Sequence, residues 1–508
     1  MRPLAILALP LCALACVAER GKLTNQMAQS STRYLARAAR EPVGWQAWGR
    51  GVFTLAARLD RPILLYVGAE DCRWCAAMDR ETFADATLGA VIDSLFVPIR
   101  LDRDEHPDIA RRYEVAVHLL TGLRGYPLTV FLTPEGSAFF GGTYFPADDP
   151  LTGRGMKQIL PEVARSFAQN RAFVVRQAAL VRQLAFTREV GAHGVLQPRA
   201  IEAGIERVRA ALVEALRTRA PLSGLLDWPA AVLLFATAAR GGDTSGVAVA
   251  RAVLDYVADS GEVVAAASDR NEPQGVVRAG MLRNLAVGWV FAGEPRYRDA
   301  ARRILRSLGS ELERTKGRSV FADREAYVIE AVLEASLAVD DSVAPAQALG
   351  ALDSLLDRAY GRGRGVRHVV GGSGAAGALL QDQVHVAGAA LAAYAATGAV
   401  RYLGVAEDLA MILARDFADS TGGYFDVPRV DAAAPALADR TKPIWDDLLP
   451  GANAWAARML LQLADATGEP AYRRRAEATL EAFAGMMPGD EVRASSYLAV
   501  AQSVLSLP

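Results

Sequence analysis

The chain has 508 residues and a formal net charge of −1, with 52% hydrophobic and 22% charged residues. A chain of this length exceeds what one hydrophobic core can organise, so two or three domains are expected. The high apolar fraction excludes intrinsic disorder over most of the length. Basic and acidic residues are interleaved, without a basic arm or face, which excludes nucleic acid as a partner.

The first 18 residues have the pattern of an export signal. A cation at position 2 precedes an apolar run from residue 4 to 15, which is too short to span a bilayer as a stable helix. We expect a signal peptide over 1–18, a leader over 19–44 and an exported protein, periplasmic or in the outer envelope. The residues before Cys16 loosely resemble a lipoprotein cleavage box, so a lipid anchor at Cys16 and ordinary cleavage near Ala18 both remain open. Without a functional signal, the protein would be cytoplasmic.

Residues 45–187 alternate between short apolar strands and helical stretches, which predicts an α/β domain. One helix is expected to begin at Arg73, and a longer one is expected over 161–187. The predicted strands are apolar runs of the kind found in buried strands. They are Pro62–Gly68, Phe96–Leu101, Leu128–Leu132 and Ala138–Phe140.

From residue 200 onward, strand signals fade and helices rich in Ala, Leu and Arg dominate. A unit recurs in which a helix ends at a glycine turn and a tyrosine follows four residues later, at Gly293–Tyr297, Gly398–Tyr402 and Gly468–Tyr472. This repeat predicts helix hairpins. With two weaker turns it gives five hairpins, and pairing of the first and last helices would complete a sixth. We predict a linker over 188–199 and an (α/α)6 toroid over 200–508.

Cys72-Arg73-Trp74-Cys75 is a CxxC pair between a predicted buried strand and a predicted helix. The other two cysteines lie in the first 16 residues, so this pair is the one that can cycle between dithiol and disulfide. The helix N-terminus and the Arg73 guanidinium favour the thiolate form of Cys72. Cys75, one turn further, can attack a mixed disulfide, because a spacing of three places both sulfurs within bonding reach.

Tyr126-Pro127 is the second element of the predicted thiol site. An X-Pro bond is the one place where a cis peptide is inexpensive, and in thioredoxin-like folds a cis proline faces the dithiol. We expect both sulfurs to face solvent at the helix tip opposite this bond, with Trp74 and Tyr126 as an apolar rim. A zinc site would need two further ligands, and His106 and His118 lack the spacing. No metal and no other cofactor is therefore expected.

The toroid is expected to leave a funnel at one end, with candidate residues at loops and helix starts. Two carboxylates there could act as general acid and base on a glycosidic bond. The other interpretation is that the carboxylates cap helices and that the tryptophans and His385 pack in the core. The candidates are Trp228, Asp323, Asp382, His385, Tyr424, Asp426, Trp445 and Asp446.

Five segments of the N-terminal half occur in the order of a known family. They are Glu41–Gly49, the dithiol, Leu101–Asp108, Gly125–Gly136 and Gly141–Pro146. Together they resemble the spermatogenesis-associated protein 20-like family, in a short, bacterial-type form. The resemblance implies a multidomain α/β and all-α protein, with a thioredoxin-like fold followed by a six-hairpin glycosidase-like (α/α)6 toroid, and a thiol site.

Two departures from the family pattern concern chemistry. Family members commonly carry histidine inside the dithiol and after its second cysteine, where this chain has Arg73 and Ala76. Longer members carry a His/Glu motif before a Met-Leu pair in the toroid, whereas Met281-Leu282 follows Val277–Gly280 here. These departures remove acid/base candidates for glycan chemistry.

Two functions remain open at this point. In the first, the protein is a thiol-disulfide oxidoreductase with Cys72 as nucleophile and Cys75 as resolving cysteine. It would act on protein or small-molecule disulfides and thiols, and the toroid would dock or select the substrate. In the second, the toroid binds or processes carbohydrate, and the thioredoxin-like domain is accessory or degenerate. An inactive scaffold is the third interpretation.

Overall fold

The computed structural model describes most of the chain, in two packed domains. The described residues are 23–218, 244–259, 274–318, 320–371, 378–429, 437–486 and 491–505. The predicted signal peptide, Cys16 and Trp228 lie outside the described residues. Among the helices of the described part, none is long and apolar enough to cross a bilayer.

A four-stranded sheet forms the centre of the N-terminal domain. Its strands are β1 (Ile63–Gly68), β2 (Val97–Asp102), β3 (Leu128–Leu132) and β4 (Ala138–Gly142). They lie in the order β2-β1-β3-β4, with β1 and β2 parallel and the other neighbours antiparallel. The first three strands are buried throughout, as continuous apolar runs require when helices cover both faces. The predicted thioredoxin-like fold is confirmed.

Seven helices of the described part accompany this sheet. They are α1 (Arg33–Arg37), α2 (Arg50–Leu59), α3 (Arg73–Glu81), α4 (Ala86–Leu95), α5 (Pro107–Thr121), α6 (Met156–Gln169) and α7 (Arg171–Glu189). Helix α3 begins where the sequence predicted. The single helix predicted over 161–187 is wrong, because Asn170 leaves the helical conformation with φ −117° and ψ 32°. Two helices meet there, and Pro161 lies inside the first.

Beneath α3, a buried arginine joins three segments of the domain. Arg100 of β2 donates to the carboxylate of Glu41 at 2.9 Å and to Asp79 of α3 at 2.7 Å. Glu41 also accepts from Trp45 Nε1 at 2.6 Å. Since an unpaired buried charge is strongly destabilising, these contacts fix the dithiol helix to the sheet. They give the Glu41–Gly49 segment a structural role.

Eleven described helices form the C-terminal domain. They are α8 (Pro198–Thr218), α9 (Thr244–Asp259), α10 (Gln274–Ala292), α11 (Pro295–Thr315), α12 (Ala322–Val339), α13 (Ala344–Ala359), α14 (Leu380–Thr397), α15 (Val400–Ile412), α16 (Ala452–Thr467), α17 (Pro470–Ala484) and α18 (Ser495–Leu505). Two short β-ladders lie between them, Val320–Phe321 with Val369–Val370 and Tyr360–Gly361 with Gly365–Val366.

The packing of these helices closes a ring. Helices α10, α12, α14, α16 and α18 pack side by side as an inner series, and α11, α13, α15 and α17 each pack on the inner helix that precedes them. Helix α18 contacts α8, α8 contacts α9, and α9 contacts α10. The first and last helices pair as the sequence predicted, and the toroid is confirmed.

The predicted glycine turns end three of the inner helices. Gly293, Gly398 and Gly468 have φ between 67° and 73°, a conformation that glycine adopts without strain at a helix C-terminus. The following tyrosines Tyr297 and Tyr402 are buried between helices. Local turn chemistry therefore sets where each hairpin reverses.

An ion cluster fills the centre of the inner series. Glu330 of α12 is fully buried and lies 3.2 Å from Arg283, 2.5 Å from Arg458 and 3.2 Å from Trp455 Nε1. Glu334, one turn further, contacts both arginines. Two carboxylates therefore neutralise two guanidinium groups. Burying any of these charges without its partners would destabilise the fold.

Charged side chains hold the two domains together. Arg182 of α7 donates twice to the carboxylate of Asp439, at 2.6 and 2.8 Å, and Arg112 of α5 donates to the Asp439 carbonyl. The predicted linker is also bonded to the toroid, since the Gly194 amide donates to the Glu481 carbonyl at 2.9 Å. The thioredoxin-like domain therefore rests directly on the toroid.

Candidate functional site

The Cys72–Cys75 pair lies at the N-terminus of α3, directly after β1. Cys72 is the N-cap residue, and its sulfur accepts a hydrogen bond from the Cys75 amide at 3.0 Å. The two sulfurs form a disulfide. The first turn of a helix leaves amides unpaired, which would stabilise a thiolate at the N-cap. The structure thus brings the two cysteines together as their spacing predicted.

The Tyr126–Pro127 peptide bond is cis, as the sequence predicted. Tyr126 packs against the small cluster formed by Ala69 and the two cysteines. The Arg103 guanidinium lies 5.0 Å from the centroid of the Tyr126 ring, a cation–π contact that restrains the ring. The cis proline and the dithiol therefore belong to one site.

The expected solvent exposure of the sulfurs is wrong. Cys72 is 2% exposed and Cys75 is 0% exposed. Tyr126 and Ala69 pack on the pair, so neighbouring residues cover the helix N-terminus that carries the cysteines. The Tyr126 ring is therefore one of the groups that separate the sulfurs from solvent.

The two residues between the cysteines point outward. The Trp74 side chain is 50% exposed, and its ring meets Tyr144 edge-on with 5.2 Å between the centroids. Arg73 is exposed as well. Trp74 therefore contributes an apolar rim, whereas the second predicted rim residue, Tyr126, is a cover over the sulfurs. Solvent screens the Arg73 charge and limits its effect on Cys72.

A buried carboxyl group lies on the strand beside the dithiol. Asp102 of β2 is the register partner of Gly68 at the end of β1, and it accepts from the Asp104 amide at 2.9 Å. Burial, and next the charge of Asp104, raise the pKa of Asp102 to about 7. Burial thus favours the neutral form of this carboxyl group. An acidic residue at the end of a fully buried strand is the sequence signal that could have identified it.

A cavity of about 220 Å³ lies between the two domains. The thioredoxin-like domain contributes Arg103, Glu114 and Tyr126 to its wall, and the toroid contributes residues from the starts of α12 and α14 and from the loop before α16. Tyr126 contacts the cysteines and also lines the cavity, so this side chain lies between the two.

Three predicted toroid residues line this cavity, namely Asp323, Asp426 and Trp445. The Asp426 carboxylate accepts from the amide and hydroxyl of Thr441 and lies 3.7 Å from Arg111. Burial raises the pKa of Asp426, and Arg111 opposes this. Asp323 accepts from the next backbone amide at 2.8 Å. Both carboxylates are engaged by the protein, which is not the arrangement of a free acid/base pair.

Asp446 and Tyr424 are not part of the cavity wall. The Asp446 oxygens accept from the Gly451 and Ser496 amides, both at 2.8 Å, and thereby tie the starts of α16 and α18 together. Burial raises the pKa of Asp446 to about 6. The Tyr424 backbone bonds both ways with the Asn453 side chain, at 2.7 and 2.9 Å. The capping and packing interpretation fits these residues.

His385 lies in the toroid core. It is fully buried, and its ring lies 5.7 Å from the Tyr327 ring and 5.6 Å from the Trp455 ring, between centroids. Burial, and then the nearby Arg283 and Arg458, lower the pKa of His385 to about 3. The imidazole is therefore neutral and packs in the core, although neither ring nitrogen makes a hydrogen bond with a described residue.

His368, which was not among the predicted site residues, connects the two domains. Its Nδ1 lies 2.8 Å from Asp382 and 4.0 Å from Asp323, and its Nε2 lies 2.8 Å from the Asp104 carbonyl of the thioredoxin-like domain. Burial opposes a charged ring, but Asp382 and Asp323 outweigh it and raise the pKa of His368 to about 10. The imidazolium donates on both sides. Arg324 also donates to the Asp104 carboxylate, at 2.5 Å.

Asp323, His368 and Asp382 present ligand atoms within 4.8 Å of one another. Binding of a divalent cation would need a ring nitrogen of His368 as ligand. Both nitrogens are engaged in hydrogen bonds of 2.8 Å. The arrangement therefore fits a buried ion pair between domains better than a metal centre, and Asp382 serves that pair and not the cavity.

Two cavity carboxylates come from different domains. Glu114 of α5 accepts from the Gly125 amide at 3.1 Å, and Asp447 belongs to the toroid loop. Burial, and next the charge of Asp447, raise the pKa of Glu114. The Arg103 guanidinium, in contrast, has Asp104 as a partner at 2.7 Å. Two acidic side chains from different domains therefore face the same cavity, while the Arg103 charge is paired with Asp104.

A family model described as "Protein of unknown function, DUF255", with the label Thioredox_DsbH, matches residues 24–185. Spermatogenesis-associated protein 20 of Rattus norvegicus and of Homo sapiens are both 35% identical over 150 residues. The thioredoxin-like part of the chain is therefore similar to the spermatogenesis-associated protein 20-like family. The match rests on the thioredoxin-like domain, since it covers 30% of this chain and 19% of each relative.

Solved structures resemble the helical part more distantly. An unsaturated glucuronyl hydrolase specific for heparin has a TM-score of 0.47 and 12% identity, covering 61% of this chain and 97% of that one. Cellobiose 2-epimerase from Bacillus thermoamylovorans has a TM-score of 0.39 and 9% identity, covering 51% of this chain and 74% of that one. Such scores carry no functional argument, and the toroid is defined by its own helix packing.

Proposed function

We propose that this protein is a thiol-disulfide oxidoreductase that acts on small disulfides admitted through the cavity between its domains. The observation that carries the proposal is the juxtaposition of a disulfide-bonded CxxC pair at a helix N-terminus, a cis proline, and a cavity that shares Tyr126 with them. The burial of both sulfurs favours a small substrate over a folded protein. The toroid supplies one wall of the cavity and selects what enters.

The reaction begins from the reduced pair. The Cys72 thiolate attacks one sulfur of the substrate disulfide, whose S–S bond breaks, and the leaving thiolate takes a proton. The Cys75 thiolate then attacks Cys72 Sγ, breaks the mixed disulfide and releases the second thiol. Two electrons pass to the substrate, and the 72–75 disulfide forms. A low-molecular-weight or protein dithiol must reduce this disulfide again.

A turnover assay tests this proposal on the full-length protein. Reduction of 2-hydroxyethyl disulfide, which is small and neutral, is followed with dithiothreitol as the reductant. We expect Cys72→Ser to reduce turnover to the uncatalysed rate, and Cys75→Ser to accumulate a mixed disulfide that mass spectrometry detects. Wild-type turnover no faster than that of the Cys72→Ser protein would reject the proposal.

Carbohydrate binding in the same cavity is the second candidate, and the observation that favours it is the Trp445 ring beside carboxylates in the wall. Because Asp323 and Asp426 are engaged by the protein, we propose binding and not hydrolysis for this candidate. Thermal shift with a panel of neutral and amino sugars tests it. A shift that Trp445→Ala abolishes would support the candidate, and no shift with any sugar would remove it.

Export is also part of the proposal, since the N-terminal pattern motivates it. Cell fractionation of the full-length protein and of a variant with Cys16→Ser tests it. Recovery in the envelope that depends on Cys16 supports a lipid anchor, and recovery independent of Cys16 supports ordinary cleavage. Recovery of the wild type in the cytoplasm would reject export.

A further inference from the structure

The hydroxyl of Tyr34 is buried without a hydrogen-bond partner in the described part of the chain. The residue is 2% exposed, and its Oη makes no hydrogen bond with any described residue. Buried hydroxyl groups are normally hydrogen-bonded, so one without a partner requires an explanation. Its position relative to the dithiol supplies one.

Tyr34 Oη borders Cys75. A Cβ placed on Gly68 would lie 2.0 Å from Tyr34 Oη and 3.2 Å from Cys75 Sγ. The hydroxyl oxygen and the sulfur therefore face the same point above the end of β1, where glycine leaves the space between them open. Any other residue at position 68 would collide with the hydroxyl.

The surroundings keep Tyr34 in this place as a neutral donor. The Arg100 guanidinium lies 4.7 Å from the Tyr34 ring centroid, and the neighbouring carboxyl groups are those of Glu41, Asp79 and Asp102. Burial, which outweighs Arg100, raises the pKa of Tyr34 far above its usual value. The phenol therefore keeps its proton over the whole physiological range.

A disulfide sulfur is a poor hydrogen-bond acceptor, whereas a thiolate is a strong one. We propose that Tyr34 is a positioning residue whose hydroxyl donates to the Cys75 thiolate once the disulfide is reduced, and so stabilises the reduced form. The inference rests on the proposed function, because only a pair that cycles has a reduced state to stabilise. The hydroxyl that is orphaned in the disulfide form gains its partner in the dithiol form.

Tyr34→Phe tests this directly, since it removes only the hydroxyl. Equilibration of the full-length protein with glutathione buffers should show the dithiol–disulfide constant shifted about tenfold towards the disulfide, equivalent to about 30 mV more negative. The pH profile of Cys75 alkylation in the Cys72→Ser background should move to higher pH in the same variant.

Thermal stability provides a second readout, because the effect of Tyr34→Phe should differ between the oxidised and the reduced protein. Oxidised Tyr34→Phe should be at least as stable as the oxidised wild type, because no hydrogen bond is lost. The reduced variant should be less stable than the reduced wild type. A purely structural role for Tyr34 predicts equal losses in both states and would overturn the inference.

Tyr113→Phe is the matched control. Tyr113 is an equally buried tyrosine of the same domain, and its hydroxyl donates to the Gly136 carbonyl at 2.9 Å. Its removal should lower stability in both redox states and leave the glutathione equilibrium unchanged. Gly68→Ala, which displaces the Tyr34 hydroxyl, should shift the equilibrium in the same direction as Tyr34→Phe.

The outcomes separate this inference from the proposed function. If the wild-type pair shows no reversible equilibrium with glutathione, the oxidoreductase proposal fails, and the inference fails with it. If the wild type equilibrates and Tyr34→Phe does so with the same constant, the oxidoreductase proposal stands and the role of Tyr34 is rejected.

Discussion

The dithiol region of the thioredoxin-like domain and the cavity wall of the toroid differ in how well local sequence patterns predict them. In the dithiol region, Cys72, Cys75 and the cis bond at Pro127 meet where local patterns placed them. In the toroid, the predicted candidates divide between the cavity wall and internal hydrogen bonds. The residues of a short contiguous motif are close in space because they are close in sequence. The toroid wall, in contrast, combines residues from hairpins that are far apart in sequence.

The comparison also assigns different roles to charge in the two regions. Charged groups in the toroid interior are paired with each other and hold helices together. Two acidic groups nearer the dithiol, Glu114 and Asp447, instead line the cavity. Substitutions in the first class should change stability without changing thiol chemistry, and substitutions in the second class should do the reverse.

Glu330→Gln should have the largest effect of the changes considered. It leaves Arg283 and Arg458 short of a buried partner, and we expect a loss of about 3–5 kcal/mol in the free energy of unfolding. Glu334→Gln is the control on the same helix, because the Glu334 side chain is 30% exposed while that of Glu330 is 0% exposed. Denaturant unfolding checks both. Equal losses for the two variants would contradict the role given to Glu330.

His368→Gln should have the next largest effect, about 1.5–3 kcal/mol for lost charged hydrogen bonds. Since the carboxylates raise the pKa of His368 to about 10 in the folded protein, its contribution is fully present below about pH 6.5, the unfolded value. It is lost as the pH rises towards 10. Wild-type stability should decline over this window, and the decline should be smaller in His368→Gln. The same slope in both proteins would contradict the assignment.

Tyr126→Ala should expose the sulfurs. We expect alkylation of reduced Cys72 by iodoacetamide to become about tenfold faster, equivalent to 1.4 kcal/mol, because the ring no longer covers the pair. Tyr126→Phe keeps the ring and should alkylate at the wild-type rate. An unchanged rate in Tyr126→Ala would mean that other residues cover Cys72.

Glu114→Gln should have the smallest effect and should depend on substrate charge. Cystamine, a dicationic disulfide, should be reduced about threefold to fivefold more slowly by this variant, corresponding to about 1 kcal/mol, because one acidic group of the cavity wall is removed. The rate with neutral 2-hydroxyethyl disulfide should stay unchanged. Kinetics with both substrates check this, and an equal loss for both would show that Glu114 acts on the dithiol and not on the substrate.

Much of the fold follows from local patterns. The apolar runs place the strands, and the glycine turns such as Gly398 place the hairpins, because backbone conformation there is decided by neighbours in sequence. The break at Asn170 was missed, since helical periodicity continues on both sides of it. The buried state of Cys72 was missed as well, because it depends on Tyr126, more than 50 residues away in the chain.

The cavity shows the same limit of sequence reasoning. Trp445 and Asp323 were identified by type and position, but His368 and Glu114 were not. His368 acts through contact with the other domain and Glu114 lies across the cavity from the toroid, and no local pattern carries that information. Their roles depend on how the two domains pack against each other, and this packing cannot be deduced from a single segment of the sequence.

The reduction potential of the 72/75 pair in the full-length wild-type protein tests the central claim most directly. The account predicts a reversible two-electron couple between about −270 and −120 mV, the range of catalytic dithiols. A potential below about −300 mV, typical of structural disulfides, or the absence of any reversible couple, would contradict it.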